Sequence, residues 1–134
     1  FSTIHPKDRD FNALLNILAM SACYSPNPNA PHGFDLPFDP ETGEVREDVW
    51  RCWLEWDPVR RVDQHLDALR SLRLIYFDAG LRDEFNLQYG ARIFAKRLQA
   101  RGINFVHQEF DDGHFNIQYR YDVSLKAISD AMPK

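Results

Sequence analysis

Two residues in the later half of the chain have types and surroundings suited to proton transfer. Asp83 lies in Gly80-Leu81-Arg82-Asp83-Glu84-Phe85-Asn86, and His114 lies in Asp111-Asp112-Gly113-His114-Phe115-Asn116. A carboxylate that holds one ring nitrogen of an imidazole fixes its tautomer and leaves the other nitrogen as a general base. Each segment follows a short apolar run, so the pair is useful only if those two runs lie side by side.

The surrounding pattern predicts that they do. Leu74-Ile75-Tyr76-Phe77 reads as a strand buried on both faces, and Ile103 to Phe110 as a second strand. Between them Leu87, Ala91, Phe94, Ala95 and Leu98 form a helical stripe that Gly102 closes in the C′ position. Residues 116–132 read as a further helix, with Ile117, Tyr121, Leu125 and Ile128 on one side. Residues 72–132 are therefore predicted to be a parallel βαβα unit, so the fold class is α/β. Both loops that follow strands open on the same edge of the sheet, with neighbouring strands about 4.8 Å apart, which brings Asp83 and His114 within reach of each other.

Upstream, Asp57-Pro58 reads as a helix opening, and Val59, Val62, Leu66, Leu69 and Leu72 follow at helical spacing. Seven of the eight prolines fall before residue 59, so the composition divides the chain near Asp57-Pro58. Residues 1–57 read as an irregular and helical region, an insertion or a lid. Residues 58–134 read as a helix plus the βαβα core, and 1–134 as a single or partial domain. Asp10 to Cys23 is so apolar that a short helix covered on most sides is expected, with Asp10 as its cap. Ser25 to Glu44 has turn chemistry almost throughout. Trp50, Trp53 and Leu54 share one helical face expected to pack in the core.

The 134 residues carry 16 Lys and Arg against 20 Asp and Glu, and neither half has the basic stripe that nucleic acid would require. No apolar run reaches the length of a membrane span, and no signal peptide opens the chain. Two cysteines, Cys23 and Cys52, read as ordinary thiols of a reducing, cytoplasmic compartment. Neither nucleic acid nor membrane is an expected partner.

Plainer readings stand beside the chemical one. Asp83, Glu84 and Asn86 all suit the N-cap of the following helix, and Asp111 and Asp112 suit a turn. His107, Glu109 and His114 are metal ligands by type. However, strand alternation puts the first two on one face while His114 lies past the turn, so no metal and no cofactor is expected. His5, His32 and His65 read as surface residues, and Gly90 as a point of close helix packing.

The segment LRLIYFDAGLRDEFNLQYGARIFAKRLQARGINFVHQEFDDGHFNIQYRYDVSL resembles the C-terminal end of an α/β-hydrolase of the esterase type, related to the enterochelin-esterase-like enzymes. The stretch NILAMSACYSPNPNAPHGFDLPFDPETGE is similar to an insertion near the active-site mouth of that group. The resemblance implies that Asp83 in GLRDE is the acid and His114 in DDGH the base of a serine-type carboxylic-ester hydrolase. One departure matters. None of the six serines (Ser2, Ser21, Ser25, Ser71, Ser124, Ser129) sits in a G-x-S-x-G elbow, so this chain holds no nucleophile.

With Phe1 rather than Met at its start, the chain is expected to be the C-terminal portion of a longer hydrolase, inactive alone, acting on a small-molecule ester. A missing N-terminal half or a second copy is expected to cover the edges of a sheet with only two evident strands. The alternative is a non-catalytic α/β module that associates through an exposed sheet edge. Replacing Asp83 or His114 is expected to abolish ester turnover and leave stability nearly unchanged.

Overall fold

The computed structural model describes residues 11–133, and the Asp10 cap, Ser2 and His5 lie outside them. The chain divides into two compact units, residues 1–57 and 58–134.

In the first unit α1 (Phe11–Tyr24) is followed by the proline-rich segment and then by α2 (Glu47–Leu54). The turn-forming segment is ordered by isolated antiparallel bridges, Pro26 with Phe34 and Phe38 with Val45. Asp39 folds its own turn, accepting from the amides of Glu41 and Thr42 at 2.8 and 2.9 Å. Buried Ser25 ties the unit together: its hydroxyl donates to the Asp35 carbonyl at 2.8 Å and accepts from the Trp53 indole at 3.0 Å.

Two expectations fail here. Helix α1 is half-buried along Phe11, Leu14, Ile17, Leu18 and Tyr24 and fully buried only at Ser21, while Leu15 and Met20 are exposed, so one face is covered rather than most sides. An almost uniformly apolar helix gives no contrast from which to read the covered face. On α2 the buried residues are Val49 and Trp53, with Trp50 exposed, so the inward face is rotated toward Val49.

The second unit opens with α3 (Pro58–Arg61), a 3₁₀ turn (Val62–Gln64) and α4 (Leu66–Ser71). The amphipathic stripe from Val59 to Leu72 is thus broken at His65 rather than forming one helix. At the break the His65 amide donates to the Val62 carbonyl at 3.1 Å, and the segment is held from outside by Arg97, which donates to the Val59 carbonyl at 2.7 Å, and Arg101, which donates to the Asp63 carboxylate at 2.6 Å.

Strand β1 (Tyr76–Gly80), α5 (Leu87–Ala100), β2 (Val106–Phe110), a 3₁₀ turn (Gln118–Arg120) and α6 (Tyr121–Ala131) complete the unit. The strands pair in parallel with Tyr76 opposite Val106 and Gly80 opposite Phe110. This is an α/β arrangement in the order β, α, β, α. Among the described residues the sheet has only these two strands. No described helix is long and apolar enough to cross a membrane.

Alternation gives the sheet two unlike faces. Phe77 and His107 point to the α5 side, where Val62, Leu98 and Ile103 form the core with Leu66, Leu69, Ile75, Phe94 and Phe105 around them. On the other side stand Tyr76, Asp78 and Gln108. Arg120 closes this group, donating to Asp78 at 3.0 Å and Gln108 at 2.7 Å while its guanidinium lies 4.7 Å from the Phe110 ring centre. The Tyr76 hydroxyl adds a hydrogen bond to Asp78 at 3.0 Å.

That polar cluster explains why β1 lies two residues later than the apolar run suggests, and why the run is half-buried rather than covered on both faces. Helix α6 also begins later than expected, at Tyr121, with Tyr121, Leu125 and Ile128 exposed. A Cβ added at Gly90 would meet no atom within 4 Å, so this glycine marks open space and not close packing.

Candidate active site

The chain leaves β1 at Gly80 and β2 at Phe110 on the same edge of the sheet, because parallel strands end together. Gly80 is required there: a Cβ would collide with the carbonyl oxygens of Asp112 and Gly113. This close approach stitches the two following loops together. Leu81 N–H donates to the Phe110 carbonyl at 2.8 Å, and Arg82 N–H to the Asp112 carbonyl at 3.0 Å. The Arg82 guanidinium donates to the Asp111 carbonyl at 2.9 Å and lies 3.3 Å from its carboxylate.

Across these loops Asp83 Oδ2 and His114 Nδ1 are 3.0 Å apart. The Asp83 side chain is 4% exposed and that of His114 39%, so the acid is enclosed and the imidazole reaches solvent. Asp83 Oδ1 accepts from the amides of Phe85 at 2.8 Å and Leu87 at 3.4 Å. Burial pushes the Asp83 carboxyl up, but the hydrogen bonds from His114, Phe85 and Leu87 outweigh it and hold the group below its ordinary value. The carboxylate is therefore ionised at neutral pH. With the ring proton on Nδ1, the lone pair of Nε2 is free, and within residues 58–133 Nε2 makes no hydrogen bond.

Capping is resolved in an unexpected way. Asn86 occupies the N-cap of α5 in the left-handed region at φ 59° and makes no side-chain cap bond, while Asp83 supplies the acceptor for Leu87. Glu84 caps nothing in α5. Its carboxylate accepts from the His114 amide at 2.7 Å and lies where a Cβ on residue 113 would stand, so Gly113 makes room for it.

Sequence reasoning missed Glu84 and Arg82 as the groups that join the loops. It also missed Phe85 and Phe115, whose ring centres lie 5.0 and 5.2 Å from that of His114. The repeated Phe-Asn pair at the end of each loop was the signal that could have revealed them.

The other candidate residues are placed elsewhere. His107 stacks on Phe77 at 4.8 Å, and Glu109 is held by Arg92 through two hydrogen bonds at 2.6 and 2.8 Å. His107 and Glu109 share a face, as alternation requires, with Nε2 3.9 Å from Oε1, and His114 is engaged by Asp83. No three potential metal ligands converge among the described residues. Asp112 accepts from the Gly113 amide at 2.8 Å, an ordinary turn role. A depression of about 320 Å³ lies at the opposite ends of the strands, lined by residues that include Ile75 and Val106, and so does not mark this site. Cys23 and Cys52 are free and exposed.

Compared with known proteins, the chain matches no family model and no curated protein sequence.

Proposed function

We propose that this chain supplies the acid and base of a serine-type carboxylic-ester hydrolase with α/β-hydrolase architecture, and that the nucleophile belongs to sequence outside these 134 residues. The observation that carries the reading is the 3.0 Å contact between Asp83 Oδ2 and His114 Nδ1, made by loops at the same ends of adjacent parallel strands.

In this reading Asp83 keeps the proton on Nδ1 and stabilises the imidazolium that forms. His114 Nε2 takes the hydroxyl proton of a serine as its oxygen attacks the ester carbonyl, and passes that proton to the departing alcohol. Backbone amides near the nucleophile would stabilise the oxyanion. The isolated chain therefore turns over no ester. The substrate is a small-molecule ester, no cofactor takes part, and the free cysteines support a cytoplasmic setting.

Fluorophosphonate labelling of the native gene product, with the labelled residue located by mass spectrometry, tests this. A labelled serine outside the present sequence is expected, with labelling slowed about 10⁴-fold by Asp83→Asn. Absence of labelling in the native product contradicts the reading. The second reading, a module that associates through its sheet edge, is favoured by the two strands having no third neighbour among the described residues. It predicts concentration-dependent association together with no labelling.

A further inference from the structure

We propose that Phe85 and Phe115 form the subsite for the alcohol part of the ester and select a flat, apolar alcohol of the aryl or benzyl kind. The inference rests on the acid–base reading of Asp83 and His114. In that chemistry the carbon–oxygen bond to the alcohol breaks, its electron pair stays on oxygen, and the proton on His114 Nε2 passes to that oxygen. The departing oxygen must therefore lie within hydrogen-bond reach of Nε2. Whatever it carries then falls beside the imidazole, where the two phenyl rings stand.

The rings are placed by the same groups that place the pair. Phe85 donates its amide to Asp83 Oδ1 at 2.8 Å, and Phe115 directly follows the base. Both rings meet the imidazole edge to face, at 84° and 83°, and their own centres are 5.9 Å apart. After each ring the backbone turns through a left-handed asparagine, Asn86 at φ 59° and Asn116 at φ 61°. Two such residues in equivalent positions are uncommon outside glycine, and such conformations gather at functional sites.

Folding leaves the rings 41% and 53% exposed around a reactive group, where an apolar ligand gains by covering them. Among the described residues of 58–133 neither ring has a cation over its face. The carboxylates of the two loops are engaged, Asp83 with His114 and Glu84 with the His114 amide.

The test follows the His114 Cε1–H and Cδ2–H resonances of the 134-residue chain during titration with benzyl alcohol, glycerol or choline. Benzyl alcohol is expected to shift them saturably, with half-saturation moved up about fivefold in Phe85→Ala and in Phe115→Ala, and less in the leucine variants. An equal response to glycerol or choline, no response to benzyl alcohol, or unchanged half-saturation in both alanine variants overturns the proposal. Failures are separable. If the His114 Nδ1–H resonance is present and shifted by Asp83→Asn, the acid–base pair stands and only the subsite falls. If it is missing, the pair falls and the subsite with it.

Discussion

Oδ2 of Asp83 holds the His114 ring, while Oδ1 of the same carboxylate receives the amides of Phe85 and Leu87. Asp83 is thus also a piece of loop structure, which argues against the expectation that its replacement leaves stability nearly unchanged. Asp83→Ala removes charge-assisted bonds from a buried site and should lower stability by about 2–3 kcal/mol in urea unfolding. Asp83→Asn keeps an acceptor for the amides and should cost less. His114, partly exposed, should be replaceable by Ala at under about 1 kcal/mol. Because the folded carboxyl lies below its ordinary value, its contribution is present above the unfolded pKa of about 4 and is lost as pH falls through the lowered folded value. The gap between the native chain and Asp83→Asn should close as pH falls below about 4. A gap that persists undiminished well below about pH 4 would contradict the hydrogen-bonded, ionised state. The residue types and the GLRDE and DDGH contexts were legible in the sequence. The role of Glu84 was not, because its partner lies 30 residues away.

Among the elements, helix α5 and the order of strands were readable because their periodicity is local: the Leu87 to Leu98 stripe and Gly102, at φ 63°, mark α5 and the turn that ends it. The end of β1 was not readable. Asp78 looks like a strand terminator until Arg120, 42 residues later, is seen to neutralise it. Arg120 and Asp78 are only 15% and 17% exposed, so Arg120→Ala strands a carboxylate and should cost about 2–3 kcal/mol, with Arg120→Met/Asp78→Leu recovering part of it. Equal instability of the double variant would mean the cluster acts through packing alone. Two glycines should behave oppositely in the same assay. Gly80→Ala forces β1 off the second loop and should lose about 1–3 kcal/mol. Gly90→Ala, in open space on α5, should gain about 0.5–1 kcal/mol. Melting temperatures that move together would show the two environments to be misjudged.

Across the molecule, the composition shift at Asp57-Pro58 falls where the chain's two units part. What the sequence did not announce is how much apolar surface the second unit leaves open. Leu87, Tyr89 and Ile93 on α5 and Tyr121, Leu125, Ile128 and Met132 on or just beyond α6 are exposed, beside a sheet whose outer edges meet no third strand among the described residues. Hydrophobic period predicts which residues line a face, but the cover for that face is a property of other segments. The Asp83–His114 contact does not depend on that cover, since the loops that carry the two residues are joined by their own hydrogen bonds. The pair is probed at its root by the ring tautomer of His114, read from long-range proton–nitrogen spectra at a pH where the imidazole is neutral. A proton on Nδ1 is expected, with a downfield resonance that Asp83→Asn displaces, and an unprotonated Nε2. A proton on Nε2, or a ring spectrum indifferent to the change at position 83, would refute the pairing.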